Sequence, residues 1–251
     1  MESASRFRLS ALTRTRVRLF SEERTIAKIK KTRYVVPYIS PSVKSRTKQL
    51  NARKETLRWA LVYVDLGWPI IPLWSVEEHG NCLCHKKNCH SPGRHPHCRL
   101  APKGVEDATK DREKVKLWFA SNDLNIGILT GPESGLLALD VDPNQGGNES
   151  LATLESRYGK IDAIEAFTGS GGTHLVMQYP KGKQIPYWIN ELGPGLAVRG
   201  TGDYMVACLS RHTSGRRYAW KDEPAVVEIP LCPEWLINVG THSRAARKTM
   251  K

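Results

Sequence analysis

Apolar positions along this chain recur in two rhythms. Leu57, Ala60, Leu61 and Val64 share one face at helical spacing, predicting a helix that starts near Glu55 and is closed by Gly67. Val115, Leu117, Trp118 and Phe119, flanked by Asp111, Lys114 and Lys116, predict a second helix over 111–121. Residues 149–158 predict a third, capped by Asn148 or Ser150 and ended by Gly159. Between them lie short apolar runs bounded by glycine and proline, the mark of strands: 68–73, a strand pair around 126–142, a hairpin through 166–177, and further strands at 196–199, 204–208 and 217–220. Residues 39–54 read as a linker, Pro230 to Leu236 as the start of a closing segment, and 241–251 as a basic tail. Mixed helices and strands predict an α/β or α+β domain over 55–240.

The most informative run is Leu136-Leu137-Ala138-Leu139-Asp140-Val141-Asp142-Pro143. Side chains alternate along a strand, so Asp140 and Asp142 project from one face. Neighbouring carboxylates repel and hold protons more tightly unless a cation compensates them. Mg²⁺ and Mn²⁺ take oxygen ligands of this kind. A plain alternative is a strand end whose aspartate only caps a turn.

Charge divides the chain. Residues 1–54 hold 15 Lys+Arg against 3 Asp+Glu, whereas 55–251 hold 23 against 22. The basic character belongs to an N-terminal arm suited to phosphate backbones or acidic surfaces, with a solvated tail or an Arg/Ser-rich targeting peptide as alternatives. Within the arm, Tyr34 to Tyr38 form a short apolar patch that could dock on the domain. A mean hydropathy of −0.43 and the lack of any apolar run of bilayer length exclude an integral membrane protein of helical type.

Four of the six cysteines lie at 82–98, beside five of the eight histidines at 79–97. That clustering favours metal binding in a reducing, cytoplasmic setting over a secreted disulfide framework, and no Cys-x-x-Cys redox pair occurs. Tetrahedral Zn²⁺ needs four such ligands. Cys82, Cys84, Cys89 and His95 are the chosen set, with Cys98, His85, His90 and His97 as substitutes.

Two more clusters follow. Thr168-Gly169-Ser170-Gly171-Gly172-Thr173-His174 is a glycine-rich bend before a strand, able to cradle phosphate on its N–H groups or simply to turn the chain. Arg199, His212 and Arg216 suit triphosphate or template phosphates, with ordinary surface residues as the alternative.

In this order and spacing, from about Leu57 to Leu236, these motifs resemble the N-terminal domain of bifunctional DNA primase/polymerases (Prim-Pol), in the archaeo-eukaryotic primase superfamily. The resemblance implies an archaeo-eukaryotic primase-like fold with a catalytic sheet related to the RNA-recognition motif and an inserted zinc knuckle at 82–98. It implies that Asp140 and Asp142 hold catalytic Mg²⁺ or Mn²⁺, and that His174 meets nucleotide phosphates. Ser170, Gly171, Gly172, Arg199, His212 and Arg216 would line the same cleft. The chain departs from the family pattern at Ala197, where a third metal-binding aspartate is expected. Asp203 or Glu228 are the carboxylates that could substitute. It also stops soon after Trp235, where many members continue into a helical domain and a helicase.

The expectation is a template-directed nucleotidyltransferase acting in DNA replication. It would make or extend primers on single-stranded or primed DNA from nucleoside triphosphates, with activity impaired by Ala197 and with a separate replicative helicase as a partner. The rivals are a catalytically degenerate nucleic-acid-binding module of the same fold and a metal-dependent nuclease.

Overall fold

The computed structural model describes residues 41–221 and 223–249. The basic arm up to Ser40, with its Tyr34–Tyr38 patch, lies outside them. Fifteen short elements follow one another, all longer strand pairings being antiparallel, so the domain is α+β rather than a parallel α/β fold.

Helix α1 runs Pro41–Asp65 and buries Ala60, Tyr63 and Val64, the face its periodicity predicts. It begins well before Glu55. The stretch expected as a linker is helical from Pro41, because its lysines, arginines and glutamine are good helix formers that need no apolar stripe to stay helical. Its outer half is also fastened: Arg53 Nε donates to Asp123 Oδ1 at 2.6 Å, and Gln49 donates to the other oxygen. Burial alone would raise the Asp123 carboxyl, but the Arg53 and Gln49 hydrogen bonds outweigh it and hold the group below its usual 3.8. A carboxyl depressed on folding stabilises above its unfolded value and loses that contribution as pH falls through the lower folded value. Asp123→Asn is therefore expected to cost about 1 kcal/mol at neutral pH and to flatten the part of the acid-unfolding curve below 3.8, read by thermal melts at stepped pH.

Strand β1 (Ile70–Trp74) pairs with β2 (Leu124–Thr130), which pairs with β8 (Asp203–Val206) in a three-stranded sheet. Helix α2 (Arg112–Ser121) precedes β2, its N-terminus capped by the Asp111 carboxylate, which accepts from the N–H groups of Glu113 and Lys114. A turn with Gly131 at φ 117° and Gly135 at φ 70° then carries the chain into β3 (Leu136–Val141). The expected pair around 126–142 is thus two strands of different sheets, touching through one bridge at Gly131 and Leu136. The left-handed glycines turn the chain between layers instead of closing a hairpin.

The larger sheet has the order β6-β7-β3-β5-β4-β9, built from β4 (Ile164–Phe167), β5 (Thr173–Gln178), β6 (Trp188–Ile189), β7 (Leu196–Arg199) and β9 (Ala219–Trp220) around β3. Both edges are two-residue strands. Alternation along β3 sorts its side chains. Leu137, Leu139 and Val141 face a core with Leu151 and Leu154 of α3 (Gly147–Tyr158) and Leu236 and Ile237 of α4 (Glu234–Thr249). Leu136 and Ala138 face α1, α2 and the small sheet. Asp140 and Asp142 continue that second row just where its apolar cover ends.

Two predicted helix boundaries shift. Helix α3 is entered through Gly146 at φ 82°, with no side-chain cap, and Ser150 donates instead to the Pro194 carbonyl. Gly147 is buried so tightly that a Cβ would stand 2.7 Å from the Asp142 and Gly195 oxygens, which leaves no room for a conventional capping turn. The segment expected as a basic tail is helical to Thr249 as the second half of α4.

Candidate active site and metal centre

Register assembles the centre. β3 pairs Asp140 with His174 of β5 on one side and with Ala197 of β7 on the other. Directly opposed residues point to the same face, so the three form a row across the middle of the large sheet. Arg199, two residues along β7, lies on that face as well. Above the row opens a cleft of about 380 Å³ whose walls include Asp140, Asp142, Ser170, His174, Ala197 and Arg199.

Electrostatics in the cleft are tightly coupled. Arg199 donates to Asp140 Oδ2 at 3.1 Å and to Asp203 Oδ2 at 3.2 Å, while its guanidinium sits 4.9 Å from the Tyr187 ring centre. Burial would make Arg199 easier to deprotonate, but Asp203 and Asp140 more than offset it and hold the group charged. His174 Nε2 stands 3.7 Å from Asp140 Oδ1. Burial pushes the His174 imidazole below its usual value against the pull of Asp140, so at neutral pH it is uncharged. Its Nδ1 is buried with no hydrogen-bond partner among the described residues, while Nε2 is the ring nitrogen turned to Asp140. Asp142 caps the turn after β3, accepting from Asn144 N–H at 2.9 Å and Gln145 Nε2 at 2.8 Å. The turn-capping alternative is therefore part of its role, but each carboxylate oxygen keeps a lone pair for a cation.

Gly171, Gly172, His212 and Arg216 stand beside the cleft rather than among its lining groups. The loop 211–217 lies directly on the glycine bend: Ser214 Oγ donates to the Gly169 carbonyl at 2.7 Å, and a Cβ on Gly169 would fall 2.1 Å from that of His212. The Arg216 guanidinium covers Gly171. Gly172 lies so close to the Val141 carbonyl that a Cβ would approach it to 2.3 Å. These glycines serve close approach first. Tyr218 links the two histidines, with ring centres 6.0 Å from His174 and 6.1 Å from His212.

The sequence reading passes over Arg94, Tyr187, Tyr204 and Tyr218, all of which line the cleft. Tyr187 and Tyr204 lie outside any motif and carry no signal in one sequence. Tyr218 closes the cluster that holds His212 and Arg216 without a role of its own, and Arg94 hides among metal-ligand candidates. Asp203, weighed as a substitute ligand, lines the cleft and is paired with Arg199; Glu228 does not line it.

A second group forms in the insertion. Donor atoms of Cys82, Cys84, Cys89 and His95 all lie within 4.8 Å of one another. His95 Nε2 is 3.5 Å from Cys82 Sγ and 3.4 Å from Cys89 Sγ. A tetrahedral ion with M–S and M–N bonds of zinc length would set that edge at about 3.5 Å. His95 Nδ1 faces the Pro96 carbonyl at 3.2 Å, which leaves Nε2 as the ligating atom. Burial also holds His95 below its usual value, in the neutral form that binds metals. The substitutes stay out of this group: His97 stacks on Trp74 at 3.8 Å, and Cys98 is exposed.

Among the described residues no helix is long and apolar enough to cross a membrane. A family model described as bifunctional DNA primase/polymerase, N-terminal, matches residues 60–235. No curated protein matches the chain.

Proposed function

The chain belongs to the bifunctional DNA primase/polymerase family across residues 60–235, and on that premise we propose that it is a template-directed nucleotidyltransferase that starts or extends primers on single-stranded DNA. Primase/polymerase activity in general comes with the family. The template, the nucleoside triphosphate substrate and the residue roles are our reading. So are the primase-like identity of the fold and a separate helicase partner.

The observation that carries it is the row Asp140, His174 and position 197 under a cleft that also holds Arg199. Asp140 and Asp142 supply the hard oxygen ligands that Mg²⁺ or Mn²⁺ prefers. When bound there, such an ion would supply positive charge beside the reacting phosphate. A primer 3′-hydroxyl would attack the α-phosphate in line, and pyrophosphate would leave toward His174 and Arg199. His174, neutral and lining the cleft, would hydrogen-bond a phosphate oxygen. Arg199 would hold that charge while Asp203 keeps its fork oriented. At the Cys82/Cys84/Cys89/His95 group the donor set suits a closed zinc site, which would brace the insertion against the template or the initiating nucleotide.

A second reading is favoured by one observation: Ala197 places a methyl group beside Asp140, and Arg199 already neutralises that carboxylate. On that reading the chain binds nucleic acid without turnover.

Incubation with a labelled primer on single-stranded template, Mn²⁺ and deoxynucleoside triphosphates separates the possibilities. Strand lengthening that Asp140→Asn abolishes is the expected result. Shortening without nucleotides would identify a nuclease, and retention of the strand unchanged, with binding indifferent to Asp140, would identify the binding module.

A further inference from the structure

We propose that Arg94, carried by the cysteine/histidine insertion, is a phosphate-binding residue of the cleft that it lines together with the Asp140 row. The inference rests on the reading of the cleft given above and adds a residue to it. Charge makes the need visible. The cleft holds Asp140, Asp142 and Asp203, and Arg199 is spent on two of them at 3.1 and 3.2 Å. Even with a divalent ion on the aspartates, these groups leave no net positive charge for a polyanion. Arg94 lines the same cleft and is exposed, and its guanidinium has no hydrogen-bond or ion-pair partner among the described residues.

Its root is fixed although its tip is not. The Arg94 N–H donates to the Ser91 carbonyl at 3.0 Å, and its own carbonyl accepts from the Tyr204 hydroxyl at 2.7 Å. On one side, Gly93 gives its carbonyl to Asn125 Nδ2 at 2.8 Å; on the other, the Trp74 N–H donates to the His95 carbonyl at 3.0 Å. Asn125 is itself saturated, accepting from Ser75 and Arg211 and donating to Gly93 and Arg211. Gly93 holds φ 74° with a would-be Cβ only 2.9 Å from Val76 Cγ1, so the turn that presents Arg94 demands glycine. A guanidinium on a clamped backbone loses little further freedom when it meets phosphate. The next residue, His95, belongs to the four-residue metal group, which makes that group the anchor of this wall.

Phosphate in this cleft has two sources, the triphosphate of a nucleotide and the backbone of the DNA strand. Equilibrium binding of thymidine triphosphate with Mn²⁺, and of a short oligothymidylate over a salt series, compares the unaltered chain with Arg94→Gln and Arg94→Lys. Because Arg94 is exposed, both variants are expected to melt with the unaltered chain. Arg94→Gln is expected to weaken at least one ligand about tenfold, with Arg94→Lys recovering part of the loss. A loss confined to thymidine triphosphate assigns Arg94 to the nucleotide. A loss confined to the oligothymidylate, with the salt slope reduced by about one, assigns it to the strand. If both ligands bind Arg94→Gln within about twofold of the unaltered chain, while Arg199→Gln still weakens the triphosphate, the inference is overturned and the cleft reading survives. If the unaltered chain binds neither ligand, the cleft reading fails and Arg94 goes with it.

Discussion

Ala197→Asp is expected to raise Mn²⁺-dependent nucleotide incorporation by about a hundredfold or more, as the gain of a missing metal ligand implies. The Cβ of residue 197 lies opposite that of Asp140 in the β7–β3 register, and paired residues hold their Cβ atoms about 5 Å apart. If Asp140 holds an ion as proposed, a carboxylate there would reach it without backbone movement, because residue 197 is half-buried at the cleft wall rather than packed in the core. The sign of a second effect follows. Without metal, a further carboxylate beside Asp140 repels it, so the substituted protein should melt at a lower temperature than the unaltered chain. Added Mn²⁺ should reverse that order, because an ion held by three oxygens stabilises the folded state by mass action. Calorimetric Mn²⁺ titration, melting with and without Mn²⁺, and primer extension read the three effects together. Unchanged metal affinity and unchanged incorporation would sink the assignment of Asp140 as a metal ligand.

Loss of the cysteine/histidine group is expected to be the other large effect. Between β1 and the 3₁₀ turn at Gly104–Asp107, the chain has no strand or helix of its own. Single bridges at Val76–Cys82 and Leu73–Pro96 are its ladder contacts among the described residues. Turn hydrogen bonds hold parts of this segment, but no extended ladder does, and four of its side chains converge on one point. A metal there contributes its binding free energy to folding. Cys89→Ser, which removes one thiolate, should lower the melting temperature by about 10 °C, the shift that about 3–5 kcal/mol gives in a domain of this size. Elemental analysis should find one zinc per chain before substitution and less after it. Protein that carries no stoichiometric metal, and that melts unchanged after treatment with a chelator, would remove the structural role.

Much of the cleft was legible because its chemistry sits on strands with strong local signals. Period-two spacing places Asp140 and Asp142 on one face, and the glycine bend announces the hairpin that brings His174 alongside. Cys82, Cys84, Cys89 and His95 stood out by residue type alone. Other features depend on partners far along the chain. Nothing near Asp123 signals that Gln49 and Arg53 will bind it, so the helix that they extend read as linker. The separation of β2 from β3 into two sheets follows from pairings with β8, β5 and β7, which lie beyond any local window. Position 197 is instructive in both respects. The motif marked the missing carboxylate, but only the register sets it against Asp140, and only coordinates reveal Arg199 bonded to that same group.

The two-residue strands at either margin of the large sheet have a further consequence. An open margin offers unpaired N–H and C=O groups to any passing chain, and its hazard grows with its length. Here each margin offers so short a template that a neighbouring molecule gains few ladder bonds by adding to it. Lateral addition is therefore disfavoured at these two margins, while the strands that carry Asp140, His174 and residue 197 stay in the interior of the sheet.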